Sequence, residues 1–230
     1  MIKEGTYHLR KHLIIKCPIS IHGAGQDKTV IQRYGFKIQG RKEEKKRVDM
    51  QGMTMIGSEE SGQVPNGLDA SHGLSFLCKD MTFTHCGGSG VYASNTKGRL
   101  INCVITQCEY SGIKCGKNAL IEVEGDQTKV DGNLAGGYYG CTYGLDTYHT
   151  SSIIHFLFPL TKESVSTNNE INTTCGKSDR NYGGSGTIET VNTFDERSCR
   201  SEANHDPSAV KPYYSASYTH LHCSYINWCF

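Results

Sequence analysis

Short runs of hydrophobic residues alternate with polar residues along this chain, and between Val64 and Asn133 the runs recur at a nearly fixed spacing. A glycine followed by an apolar residue opens each row at Gly67, Gly90 and Gly112, so successive rows begin 23 and 22 residues apart. The runs behind each glycine are rich in Val, Ile, Thr, Phe and Cys, which favours strands of about three to six residues. No row has room for a long helix with an apolar period of about 3.6 residues. A fixed period of this length indicates a stacked array in which each row forms one coil.

Stacking these rows would place each strand beside its equivalent in the next coil, about 4.8 Å away and with parallel hydrogen bonding. Because side chains alternate between the two sides of a strand, every second residue should point into the stack. The predicted inward columns are Met53, Met81 and Cys103; Met55, Phe83 and Ile105; and Leu68, Val91 and Ile113. The predicted outward residues are Thr54, Thr82, Val104, Thr84 and Thr106. Since crossovers between parallel strands are right-handed, we predict an all-β fold, a single-stranded right-handed parallel β-helix of about 22 residues per coil.

Two motifs recur in register with this period. One is a glycine followed by an apolar residue, as in Gly67-Leu68-Asp69, and the other is Asx-apolar-x-apolar, as in Asp80-Met81-Thr82-Phe83 and Asn102-Cys103-Val104-Ile105. On these motifs the chain resembles the pectin-lyase-like β-helix repeat proteins over roughly residues 2–191. The resemblance implies the fold but leaves the function open, because that fold hosts lyases, hydrolases, epimerases and non-catalytic binding repeats.

The pattern divides the chain into a β-helix domain at residues 1–192 and an irregular or disordered tail at residues 193–230. Polar insertions at residues 41–47 and 58–65 interrupt the repeat and predict loops at the corners of the stack. The tail has no strand period and is rich in aromatic residues, so it is a candidate cover for the open end of a β-helix.

Composition narrows the class of partner. The net charge is +1, so no overall field favours nucleic acid or an anionic membrane. Neither an apolar run of about 18 residues nor a signal peptide is visible, so no membrane span is predicted and the compartment stays open, with the cytoplasm as the default. The His220-x-His222-Cys223 set lacks the paired spacing of zinc sites, and neither a metal nor a cofactor is predicted. The expected state is a monomer.

The 11 cysteines are many for a chain of this length, and their number is odd. Five of them lie at repeat positions that fit inward stacking, so we interpret these five as small buried core residues. A disulfide between Cys86 and Cys108, which lie in adjacent coils, is the alternative, although disulfide geometry is demanding. The five core cysteines are Cys78, Cys86, Cys103, Cys108 and Cys115.

The first strand of each coil carries the candidate ligand-binding residues. If Leu68, Val91 and Ile113 point inward, the residue after each must point outward, and the same holds after Leu145. A surface that mixes carboxylate, phenol, amine and imidazole groups suits a sugar, with tyrosine against the ring face and polar groups bonding to hydroxyls. The candidates are Asp69, Tyr92, Lys114 and Asp146 in the outward column, and His72, Asn95, Lys117 and His149 at the following corner.

An enzyme is the alternative interpretation, with Asp69, Lys114, Asp146 and His149 as its catalytic residues. Inverting hydrolysis needs two carboxyl groups about 6.5–9.5 Å apart, and the neighbours of Asp69 in the next coils are not acidic. The Tyr143–His149 stretch is similar to the Tyr-Gly-Phe-Asp-Pro-His motif of alginate C5-epimerases, and it matches at Tyr143, Gly144 and Asp146.

The main prediction is a non-catalytic β-helix repeat domain that presents a flat parallel-sheet face to a polysaccharide or a protein. The alternative is a polysaccharide-modifying enzyme, either a uronan lyase or a C5-epimerase. A third interpretation rests on the Thr82-Phe83-Thr84 pattern, since flat Thr-x-Thr arrays on some β-helices bind ice, but Val104 breaks the next row.

Overall fold

The computed structural model describes residues 1–41, 46–57, 65–71, 73–134, 142–169 and 180–192. These residues form strands with one short helix, which confirms the all-β prediction for the described part of the chain. The strands and the helix are β1 (Gly5–His8), β2 (Leu13–Ile15), β3 (Ile19–His22), β4 (Thr29–Arg33), β5 (Phe36–Ile38), β6 (Arg47–Gly57), β7 (Leu68–Ser71), β8 (Ser75–Thr84), β9 (Val91–Ser94), β10 (Lys97–Ile101), β11 (Val104–Thr106), β12 (Ile113–Cys115), β13 (Leu120–Glu124), β14 (Lys129–Asp131), β15 (Leu145–Thr147), β16 (Ile153–Leu157), α1 (Lys162–Val165), β17 (Ser166–Thr167), β18 (Tyr182–Gly184) and β19 (Thr187–Val191).

The strands stack in three parallel columns, which we name face one, face two and face three. Face one is a seven-stranded sheet in the order β2-β5-β7-β9-β12-β15-β18. Face two contains β3, the first halves of β6 and β8, β10, β13, β16 and β19, while face three contains β1, β4, the second halves of β6 and β8, β11, β14 and β17. The chain visits the faces in the same order on each pass, a topology compatible with a parallel β-helix.

The predicted inward columns are confirmed by the register of these strands. Leu68 pairs with Val91 and Val91 with Ile113, while Phe83 pairs with both Met55 and Ile105. All of these side chains are fully buried. The 22-residue step relates the central strands, whereas the step from β5 to β7 is 32 residues and the step from β16 to β19 is 34. The regular period is therefore a property of the central strands.

The glycines that open the rows lie where the chain turns from face three into face one. A Cβ atom at Gly67 would lie 2.7 Å from the carbonyl oxygen of Gly90, and a Cβ at Gly35 would collide with the carbonyl oxygen of Gly67. Ordinary Cβ atoms do not come so close to backbone atoms, so only glycine fits this corner.

The Asx positions of the second motif lie at the corner between face two and face three. In four successive coils one residue adopts a left-handed backbone there: Gly52 (φ 66°), Asp80 (φ 49°), Asn102 (φ 50°) and Gly125 (φ 87°). Glycine, asparagine and aspartate adopt this conformation at the lowest cost. The repeat therefore places Asx or Gly at this position to turn the chain.

The prediction of buried core cysteines is confirmed for the five at repeat positions. All five are buried and free, so Cys86 and Cys108 do not form a bridge. Burial raises the pKa of the Cys103 and Cys115 thiols to about 12. These thiols act as small hydrophobic residues of the core.

One helical turn interrupts the strands. It spans Lys162–Val165 and ends where β17 begins. The hydroxyl of Thr161 accepts a hydrogen bond from the Ser164 backbone at 3.2 Å, and the Ser164 hydroxyl accepts one from the Thr161 backbone at 3.0 Å. This reciprocal cap stabilises the start of the turn.

Within the described ranges, no helix is long and apolar enough to cross a membrane. The tail from residue 193, residues 42–45 and 58–64 of the two insertions, and His72 lie outside the described residues.

Candidate functional site

The outward side chains of face one form a single row across five strands, from β5 to β15. The register aligns Lys37 with Asp69, Asp69 with Tyr92, Tyr92 with Lys114, and Lys114 with Asp146. We call these five residues the face-one column. The four residues that the sequence assigned to an outward column lie in it, and Lys37 extends it by one strand.

A nearly buried ion pair closes one end of the face-one column. The Lys114 Nζ lies 3.5 Å from Asp146 Oδ2, and the Ser111 hydroxyl donates to the same oxygen at 3.2 Å. Only 4% of the Asp146 side chain is exposed. Burial raises the pKa of Asp146 above its usual value, and the nearby ammonium of Lys114 and the hydrogen bond from Ser111 offset this only in part. The ammonium of Lys114 also lies 4.9 Å from the ring centre of Tyr148.

A looser pair lies towards the other end of the face-one column. Lys37 Nζ is 3.9 Å from Asp69 Oδ2, and the two side chains are 32% and 20% exposed. The Oδ1 atom of Asp69 is buried and has no hydrogen-bond partner within the described part of the chain. Asp69 therefore carries one buried, unpaired acceptor, whereas the Oδ2 atom of Asp146 already has two donors.

Two tyrosines give the face its aromatic surface. Tyr92 is half-buried between the two ion pairs, and Tyr148 is 71% exposed just beyond the end of β15. The hydroxyl-bearing residues Ser71 and Ser94 pair with each other in the neighbouring outward row. The face thus offers rings, hydroxyls, carboxylates and ammonium groups side by side.

Three of the predicted corner residues, Asn95, Lys117 and His149, are exposed and take part in local hydrogen bonds. The backbone N–H of Asn95 donates to the Lys117 carbonyl at 2.6 Å, and Asn95 has a left-handed φ of 52°. The Nδ1 atom of His149 lies 2.9 Å from the Ser151 hydroxyl. His72, the fourth predicted corner residue, lies outside the described residues. The left-handed turn at this corner is sufficient to explain why an asparagine is found at position 95.

The four residues of the enzyme interpretation are only partly brought together. Lys114 and Asp146 pair, but no hydrogen bond or ion pair among the described residues joins His149 to either of them. Asp69 is three strand steps from Asp146, or about 14 Å at the usual spacing between strands. That separation exceeds the range of about 6.5–9.5 Å for an inverting glycosidase, so these two carboxyl groups do not form such a pair.

Sequence reasoning missed three residues of the site: Lys37, Ser111 and Tyr148. Lys37 follows Gly35-Phe36, the same glycine-apolar opening as the later rows, and this signal could have identified it. Its step to Asp69 is 32 residues, the same as the step from Lys114 to Asp146. Ser111 and Tyr148 lie outside the strands of face one. Ser111 repeats Ser89 at the 22-residue step, immediately before the row-opening glycine, and this signal could have identified it, whereas no such repeat marks Tyr148.

No group of three or more His, Cys, Asp or Glu side chains among the described residues could hold a metal ion. Comparisons with protein-family models, with curated proteins and with solved structures found no match to this chain.

Proposed function

We propose that this chain is a right-handed parallel β-helix of the pectin-lyase-like class and that face one binds a glycan without chemically changing it. The parallel sheets and the corner glycines support the fold assignment. The glycan-binding role rests on the face-one column, in which Tyr92 lies between two ion pairs.

A glycan explains this surface better than a protein does. The buried centre of a protein interface is depleted in charged residues and rich in apolar contacts. The face-one column is instead mostly charged, and the exposed Tyr148 lies beside it, next to the ammonium of Lys114. A sugar presents a weakly polar ring face to tyrosine and hydroxyl groups to carboxylates, which is the combination that face one can satisfy.

The test is a glycan array followed by calorimetry on the glycans that bind. Tyr92→Ala and Tyr148→Ala should each weaken binding about tenfold, because each removes an aromatic contact worth about 1 kcal/mol or more. Phe158→Ala is the matched control, since Phe158 is also exposed, at 67%, but follows β16 on face two. Failure to bind any glycan on the array, or an equal loss of glycan affinity in all three variants, would contradict the proposal.

The second candidate is a uronan lyase or C5-epimerase, and one observation favours it. A buried carboxyl with a raised pKa beside a lysine, as in Asp146 and Lys114, is a common arrangement in catalytic sites. Incubation with alginate and pectate, followed by absorbance of unsaturated uronates and by proton NMR, tests this directly. Turnover that Lys114→Met abolishes would establish an enzyme, and no change in either polymer would leave the binding proposal in place.

A further inference from the structure

We propose that face one selects neutral glycans over anionic ones, because each of the two lysines in the face-one column is already neutralised by a carboxylate of the next strand. This inference rests on the glycan-binding function proposed above and names the class of ligand.

The charges of the face-one column cancel in pairs. Lys37 lies 3.9 Å from Asp69, and Lys114 lies 3.5 Å from Asp146. Tyr92 separates the two pairs. A uronate that approached either lysine would meet an aspartate one strand away, at about 4.8 Å. The attraction of the ammonium group for a bound uronate is therefore offset by like-charge repulsion.

A neutral sugar has no such conflict. Its hydroxyl groups donate hydrogen bonds to carboxylates, whereas the carboxylate of a uronate can only accept them. The Asp69 side chain is 20% exposed and is aligned with Tyr92 on the next strand, so a hydroxyl donor and a ring face fit the same place. Ser71 and Ser94 in the neighbouring row add hydroxyls that both donate and accept.

The length of the column also sets an expectation for the ligand. Four strand steps separate Lys37 from Asp146, which is about 19 Å along the stack at the usual spacing. A linear oligosaccharide lying along the stack would contact several of these rows at once. Affinity should therefore rise with chain length and level off once the ligand spans the column.

The experiment measures binding of neutral hexasaccharides (gluco-, manno- and xylo-oligomers) and of galacturonate and mannuronate hexamers by calorimetry at low salt. The intact chain should bind at least one neutral hexamer at least tenfold more tightly than either uronate hexamer. Asp69→Asn frees Lys37 and should tighten uronate binding threefold or more, and added salt should reverse this gain. The double variant Lys37→Gln with Asp69→Asn should bind uronate no more tightly than the intact chain, because the freed ammonium is gone. Asp69→Glu should also show no tighter uronate binding, because it keeps a carboxylate beside Lys37.

Asp49→Asn is the matched control, since Asp49 pairs with Arg47 at 2.6 Å on face two. It should leave both affinities unchanged, and circular dichroism checks that each variant is folded. Tighter binding of a uronate hexamer by the intact chain would overturn the selectivity while leaving glycan binding intact. If the intact chain binds a neutral hexamer but Asp69→Asn does not bind uronate more tightly, the role assigned to the paired lysines is wrong. Failure to bind any hexamer or any glycan on an array would overturn the proposed function itself.

Discussion

Face one and face three each hold an aspartate beside a lysine, and the two pairs are built differently. Asp146 lies 3.5 Å from Lys114 on the neighbouring strand, and 4% of its side chain is exposed. Asp131 lies 3.3 Å from Lys129 on its own strand, and 23% of its side chain is exposed. The separations are nearly equal, so the surroundings of each carboxyl make the difference.

The two carboxyl groups respond in opposite directions. At Asp146, burial raises the pKa and the partners only reduce that effect. At Asp131, burial acts in the same direction, but hydrogen bonds from Thr167 at 2.7 Å and Asn168 at 2.8 Å, with Lys129, outweigh it and lower the pKa. Face one therefore holds a carboxylate at a cost to stability, whereas face three gains stability from one. A carboxyl kept at such a cost is typical of a functional site.

The largest effect should follow from removing the lysine of the buried pair. Lys114→Met leaves Asp146 charged and almost enclosed, and the free energy of unfolding should fall by about 2 kcal/mol in urea titrations at neutral pH. Lys129→Met is the control, with a loss below about 1 kcal/mol because the lysine is 54% exposed. An equal fall in the free energy of unfolding in both variants would show that the burial of the carboxyl does not set the cost of removing its lysine.

The pH dependence of Asp146 is the next largest effect. Because its folded-state pKa is raised, its contribution to stability is fully present below the ordinary value of 3.8 and is lost as pH rises through the folded pKa. Asp146→Asn should remove this loss, so the difference in unfolding free energy between variant and parent should grow as pH rises above 3.8. Urea titrations at a series of pH values measure it, and a difference that is flat with pH would contradict the raised pKa.

Asp131 should behave in the opposite way, and with a smaller amplitude because it is more exposed. Its folded pKa is lowered, so its stabilising contribution is present above 3.8 and is lost as pH falls through the folded pKa. Asp131→Asn should therefore cost stability at neutral pH, and the gap to the parent should close in acid. A gap that widens in acid would show that the hydrogen bonds from Thr167 and Asn168 do not hold the charge.

The smallest effect concerns the looser pair on face one. Lys37→Met should change the free energy of unfolding by less than about 0.5 kcal/mol, since the pair is 3.9 Å apart and partly exposed. Thermal or urea unfolding of Lys37→Met and Lys114→Met, measured side by side, compares the two ion pairs of face one. A loss as large as that of Lys114→Met would remove the distinction between the two ends of the column.

The core could be predicted from the sequence because two constraints agree. The alternation of side chains and the 22-residue step both place Phe83 beside Ile105, and the inward column predicts which neighbours face outward. Asp69, Tyr92, Lys114 and Asp146 were found in this way. A longer connection lengthens the step to 32 residues both after Lys37 and after Lys114. The Gly-Leu-Asp opening at residues 144–146 still identified Asp146, whereas the Gly-Phe-Lys opening at residues 35–37 was not used.

What the sequence did not predict depends on contacts between segments that share no period. Asn133 and Asn169 are fully buried and bond to each other at 3.0 Å, 36 residues apart. The hydroxyl of Ser111 reaches Asp146 across 35 residues. Such bonds depend on how the loops pack at the corners, and no local propensity encodes that.

The free thiols of the core have a practical consequence. They are distributed over successive passes of the chain, from β8 to β12, and all of them are enclosed. Only a deprotonated and accessible sulfur reacts with an alkylating reagent, so these thiols are labelled in the native protein only when the structure around them unfolds locally. Mass spectrometry of the labelled sites over time would then report, pass by pass, which part of the stack opens first. The five reporters of local opening are Cys78, Cys86, Cys103, Cys108 and Cys115.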